Sequence, residues 1–185
     1  SALKRYHLSS IGRAIQSLQA RKSQAVISAA NTGVLMAISR KILRTLNGIH
    51  RPAIISSFPT KKRRDTWIVD LGANIQCNVS NMVQFAIMGI YVAKTQGITN
   101  PRVALLNIGH EKHKGNTLIK ECNEIFQLMN LNYIGYVEPS QIYSDMADVI
   151  VCDGLSGNIL LKSCEGTSKF LKFVYNETFK SSWFG

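Results

Sequence analysis

Four short stretches of this 185-residue chain place asparagine beside glycine directly after an apolar run. Ala29-Ala30-Asn31-Thr32-Gly33 follows Gln24 to Ser28, and Leu71-Gly72-Ala73-Asn74 follows Trp67 to Asp70. Ile108-Gly109, then Lys114-Gly115-Asn116, follow Arg102 to Asn107, and Gly154-Leu155-Ser156-Gly157-Asn158 follows Val149 to Asp153. Glycine lets backbone approach a ligand closely, and N–H groups at a helix start carry partial positive charge. Together they suit an anion such as phosphate. Lys114 lies between a loop and a helix start. Its ammonium can neutralise a bound phosphate and the charge developing on a reacting carbonyl. Asn158 can donate its amide to the same centre. Each loop alone is an ordinary strand-to-helix turn, and Lys114 alone is surface charge. Four such loops on one sheet edge strain that explanation.

Other chemistries fit less well. No GxGxxG dinucleotide loop or Walker A loop occurs. His110-Glu111-Lys112-His113 spaces its histidines three apart, so it is not the HExxH zinc motif, and no metal is expected. Ser156 sits in Gly-Leu-Ser-Gly-Asn rather than a GxSxG elbow. Cys77, Cys122, Cys152 and Cys164 form no CxxC pair, and Cys152 in Val149-Ile150-Val151 reads as core. A reduced setting is the default.

The elements that must position these groups alternate. Helices are expected from Ser9 or Ser10 to Ala20, Val34 to Leu46, Ser80 to Gln96, Gly115 to Met129 and Ser156 to Tyr175. Strands are expected at Gln24–Ser28, Pro52–Ser56, Trp67–Asp70, Arg102–Ile108, Tyr133–Ile134 and Val149–Cys152. This rhythm predicts an α/β fold, an open, mostly parallel sheet with helices on both faces. Ligands of such sheets bind at the carboxyl ends of the strands.

Charge is uneven. Residues 1–65 hold 13 of the 22 Lys and Arg but one acid, Asp65. Such a surface attracts an acidic partner. Lys61-Lys62-Arg63-Arg64 reads as a loop tip and as the weakest candidate boundary in the chain. Aromatics do not interleave with these charges, so a nucleic-acid platform is not expected. The apolar stretch Val83 to Ala93 is far short of the roughly 18 residues a membrane span needs. No signal peptide is seen at the start of this sequence, which proves little in a chain that opens on Ser; the cysteine usage makes a reduced, cytoplasmic setting the expectation. Residue 1 is Ser rather than Met, and the opening residues read as mid-domain sequence, so a fragment is expected.

These motifs also resemble a known family. Ser28-Ala29-Ala30-Asn31-Thr32-Gly33-Val34-Leu35 is similar to the SAGNTGAL motif of the PlsX family of phosphate acyltransferases. Val69-Asp70-Leu71-Gly72-Ala73-Asn74 resembles its LDLGAN motif. Leu105-Leu106-Asn107-Ile108-Gly109 with Lys114-Gly115-Asn116 resembles LLNIG…KGN. Val151-Cys152-Asp153-Gly154, Gly157-Asn158, Leu160-Leu161-Lys162 and Glu165-Gly166 resemble VCDGFxGNxxLK…EG. Four motifs in order cover essentially the whole chain but little over half of a typical member.

The resemblance implies a fold related to isocitrate and isopropylmalate dehydrogenases and to phosphotransacetylases. The chain would be a single α/β domain or the central portion of a larger two-lobed one. It implies transfer of a fatty acyl group from acyl carrier protein to inorganic phosphate, giving acyl phosphate for phospholipid synthesis. No metal or nucleotide cofactor is implied. A homodimer is, along with peripheral contact at the inner face of the bacterial membrane, for which Trp183-Phe184 is a candidate. Lys114 would hold phosphate and stabilise the oxyanion, and Asn158 would orient the reacting groups. The binding set would be Asn31, Thr32, Gly33, Gly72, Asn74, Asn107, Gly109, Gly115, Asn116, Asp153, Gly154 and Gly157. Ala30 stands where Gly is usual, and its methyl is expected to crowd the loop or oppose a positive φ. Gln76, His110 and Pro139 also depart from the family pattern. The competing reading is a truncated, non-catalytic remnant that folds and binds acyl carrier protein. A nucleic-acid module run by the basic third, and a dehydrogenase by fold analogy, rank lower.

Overall fold

Side-chain oxygens start the helices of this chain. The computed structural model describes residues 6–111 and 113–182, with side chains to residue 179. The Trp183-Phe184 pair and Lys112 lie outside the described residues. Two units divide the chain, Ser1–Pro52 and Ala53–Gly185.

In the first unit, Ser9 caps α1 (Ser10–Gln19) by accepting from Gly12 N at 3.1 Å. Asn31 caps α2 (Thr32–Leu43) by accepting from Val34 N at 3.2 Å. The helices pack through Ile15, Ile38 and Ile42, and Gln19 Nε2 donates to Ile42 O at 2.9 Å. The strand expected at Gln24–Ser28 does not form, and Ile27 is fully exposed. A strand needs a partner for its N–H and C=O groups, and the described part of this unit offers none. Ala30 is exposed and its φ is not positive, so its methyl strains nothing here.

Among its described residues the second unit holds five strands: β1 (Ile55–Pro59), β2 (Asp65–Val69), β3 (Val103–Leu106), β4 (Tyr133–Val137) and β5 (Val149–Val151). Their order is β1-β2-β5-β3-β4. β1 runs antiparallel to β2, and the other pairs are parallel. The α-helices among its described residues are α3 (Val79–Thr95), α4 (Thr117–Leu128) and α5 (Gly154–Ser182). The expected open, mostly parallel α/β sheet is therefore present. Residues alternate between its faces with the strand period of two. Val69, Val103, Leu105, Val149 and Val151 meet Met82 and Phe85 of α3 and Cys122 and Phe126 of α4. Ile68, Ala104, Leu106 and Ile150 point the other way, where Leu160 at the start of α5 and Ile142 cover them. Burying each such large side chain contributes roughly 1.5–3 kcal/mol.

Some boundaries differ from expectation. α3 starts from Asn78 rather than Ser80, through a reciprocal capping pair with Asn81. β1 begins three residues later than Pro52, because Ile54 N is engaged by Asp70 Oδ1 at 2.9 Å. The Lys61–Arg64 run is no boundary. It is the tip of the β1–β2 hairpin, closed by Thr60 N donating to Arg64 O at 2.8 Å. Beyond its first turns, α5 leaves Phe170, Leu171, Phe173, Val174, Tyr175 and Phe179 exposed. Among the described residues, no helix is long and apolar enough to cross a membrane.

Candidate active site

Because β2, β3, β4 and β5 are parallel, the segments after them gather at one edge. The hairpin tip lies at the other edge, one five-residue strand or roughly 16 Å away. The Lys61–Arg64 charges therefore do not reach the Lys114 loop.

Asp70, fully buried after β2, organises the first segment. Its Oδ1 accepts from Ile54 N at 2.9 Å and Ala73 N at 3.0 Å. Its Oδ2 accepts from Asn74 N and Asn74 Nδ2, both at 2.8 Å. Asn74 O in turn accepts from Gly154 N at 2.9 Å, joining this loop to the start of α5. Gly72 has φ +125°, and a methyl there would come 3.3 Å from Asn158 Cβ. Asn158 thus lies over Gly72, and Gly157 packs directly on the Asp70 carbonyl.

On the β3 side, Asn107 Nδ2 donates to Gly109 O at 3.0 Å and Lys114 O at 3.3 Å. Asn116 caps α4, its Oδ1 accepting from Ile119 N at 2.9 Å. Asp153 accepts from Ser156 N at 2.9 Å and Ser156 Oγ at 2.8 Å, fixing the first turn of α5. Both contacts position that turn. Lys114 Nζ lies 2.8 Å from Glu111 Oε1. The hydrogen bond and charge of Glu111 hold the Lys114 ammonium above its ordinary pKa, and Lys114 holds Glu111 below its own. Lys114 is thus a committed cation. His110 Nε2 stands 3.9 Å from Glu138 Oε1.

Between these groups opens a cleft of about 520 Å³. Leu106, Ile108, Ile119, Pro139, Ile159 and Leu160 give it an apolar wall, and Asn107, Gly115, Asn116, Asp153 and Ser156 its polar edge. Ile108 and Ile159 remain 75% and 59% exposed, large apolar side chains left at its mouth. The arrangement can hold an apolar chain against an edge of helix-start N–H groups and a nearby ammonium.

The structure gathers Asn107, Gly109, Lys114, Gly115, Asn116 and Asp153 on the β3 side of the first turn of α5. Gly72, Asn74, Gly154, Gly157 and Asn158 gather on its β2 side. Lys114 and Asn158 thus flank that turn from opposite sides. Asn31, Thr32 and Gly33 begin α2 in the first unit. Sequence reasoning missed Asp70, Glu111 and Ser156. For Asp70 the signal was present: a carboxylate at a strand end, just ahead of several backbone donors. Cys152 is buried as expected, and burial pushes its thiol well up.

Solved structures place the fold first. A phosphotransacetylase from Streptococcus pyogenes superposes with a TM-score of 0.66 at 18% identity, over 85% of this chain and 55% of that one. A branched-chain phosphotransacylase from Enterococcus faecalis gives 0.56 at 17% identity, over 83% and 62%. The fold is thus of the phosphotransacetylase kind. The family model described as "Fatty acid synthesis protein" matches residues 1–185. The phosphate acyltransferase of Coxiella burnetii is 46% identical over 184 residues, 98% of this chain and 54% of the relative. That of Vibrio cholerae is 49% identical over 162 residues, 87% of this chain and 48% of the relative. The chain belongs to the fatty acid synthesis protein family, the PlsX family of phosphate acyltransferases. It spans about half the length of the curated relatives it matches.

Proposed function

We propose that this chain carries the acyl- and phosphate-handling part of an enzyme that moves a fatty acyl group from acyl carrier protein to inorganic phosphate. The observation that carries the reading is the apolar cleft running beside the loop that presents Lys114 and the α4 start. The acyl chain lies along Ile108, Ile119, Ile159 and Leu160, with its thioester toward the polar edge. A phosphate oxygen attacks the thioester carbonyl carbon. The C–O bond forms, the C–S bond breaks, and the thiol leaves with a proton from the phosphate. Lys114 releases Glu111, neutralises the phosphate and stabilises the oxyanion. Asn158 orients the reacting groups. The basic residues of the first unit receive the acidic carrier protein. The exposed apolar residues of the outer part of α5 support a homodimer with peripheral membrane contact. The test is thiol release from palmitoyl-carrier protein with and without phosphate. Release that needs phosphate and disappears in Lys114→Ala supports the reading; phosphate-independent release overturns it.

A second reading, a non-catalytic remnant that still binds carrier protein, is favoured by the placement of Lys114 and Asn158 on opposite sides of the α5 turn. It predicts carrier binding with no turnover.

A further inference from the structure

The Lys114 loop leaves β3 at Asn107 and rejoins regular structure at the α4 cap, Asn116. Asn107 is only 5% exposed, and its own N–H donates to Val137 O of β4 at 3.0 Å. Its side chain therefore stands on backbone fixed by the sheet. From there Nδ2 reaches both limbs of the loop, Gly109 O at 3.0 Å and Lys114 O at 3.3 Å. The loop closes tightly over it. Gly115 has φ +92°, and a methyl there would come 2.6 Å from Asn107 Oδ1, so glycine is required on both counts. An asparagine amide has two N–H donors, and both are engaged by the loop carbonyls. The remaining Oδ1 is an acceptor, the wrong polarity for a phosphate oxygen.

We infer that Asn107 is a positioning residue, not a phosphate ligand: it ties the two limbs of the loop and thereby fixes Lys114 for the acceptor. The inference rests on the role proposed for Lys114. Asn107→Asp keeps the shape but sets acceptors against two carbonyls, which frees the loop; Asn107→Ala removes the tie without the charge. Both variants, Lys114→Ala and each double variant are compared in phosphate-dependent kcat/KM for thiol release. Amide hydrogen exchange over residues 109–115 is followed in parallel. Each Asn107 variant is expected to lose about a hundredfold, the scale of a catalytic group displaced by an ångström. Exchange should rise in that loop while β3 and β4 stay protected. Each double variant should fall within about twofold of Lys114→Ala, because Asn107 acts only through Lys114. If the chain shows no turnover, the dissociation constant of inorganic phosphate replaces kcat/KM in the same cycle. Unchanged loop exchange, or double-variant losses that multiply, overturns the inference. Full activity in Lys114→Ala would instead overturn the proposed role of Lys114, while the exchange result still reports on the tie.

Discussion

Glycine-to-alanine substitutions at two positions of α5 should change stability in opposite directions. In an open helix the change gains about 0.5–1 kcal/mol, because glycine loses more backbone freedom on folding. Gly166 is such a site: a methyl there meets nothing within 4 Å. Gly157 is not. A methyl there would run into the carbonyl oxygen of Asp70 and stand 2.9 Å from Cys152 Sγ. Neither neighbour can yield cheaply. The Asp70 carboxylate holds four donors, and Cys152 N donates to Val69 O at 2.6 Å. Overpacking of this kind costs about 1–3 kcal/mol, which outweighs the helix gain. Gly157→Ala should thus lose about 1–2 kcal/mol and Gly166→Ala should gain up to about 1 kcal/mol. In a chain of this size each kcal/mol moves Tm by about 2–4 °C. Urea midpoints by far-UV circular dichroism, at unchanged m-value, test the pair. A Gly157→Ala variant as stable as the parent would refute the close docking of α5 on the end of β2.

Acid stability should depend on Arg102. Burial raises the Asp148 carboxyl, but the hydrogen bonds and charge of Arg102 outweigh it and hold the carboxyl below its usual value. A depressed carboxylate stabilises the fold above its unfolded pKa of about 4, and that contribution is lost as pH falls through the lower native value. Arg102→Lys keeps the charge but loses the fork, whose Nε and Nη2 lie 3.0 and 2.8 Å from Asp148. It should cost about 1–2 kcal/mol at pH 7 and flatten the fall in urea midpoint between pH 5 and pH 3. Asp70→Asn should cost about 1–3 kcal/mol and, by loosening the Asn74 loop, lower turnover; midpoint and activity measured together check this. In the native protein the Cys122 thiol, pushed up to about 12 by burial, and that of Cys152 should resist a disulfide reagent at pH 8, while all four thiols react in urea.

The sequence made the strands and the edge legible because their apolar runs are continuous and end in glycine and acid. Val103–Leu106 and Val149–Val151 are buried on both faces, as their composition requires. The loops were legible as loops but less so in detail. Asn31 and Asn116 are expected as ligands, and their amide oxygens also cap helices. Asn74 and Asn107 likewise spend their amides on their own loops. Asparagine next to glycine marks a tight strand-to-helix turn as readily as a binding site, and only the engaged donors tell the two apart. Gln24–Ser28 misled because a short apolar run carries no information about whether a partner strand lies beside it. The pairing of Lys114 with Glu111 depends on the fold of an irregular loop, which no periodicity encodes.

The central claim is direct attack of phosphate on a thioester held at this edge. The measurement that tests it most directly supplies palmitoyl-carrier protein with inorganic phosphate labelled in its oxygens with ¹⁸O, and weighs the product. The account predicts palmitoyl phosphate that retains the full label, including the oxygen bridging carbon and phosphorus, and none of it in Lys114→Ala. Free palmitate carrying a solvent oxygen, formed equally in both proteins, would contradict it.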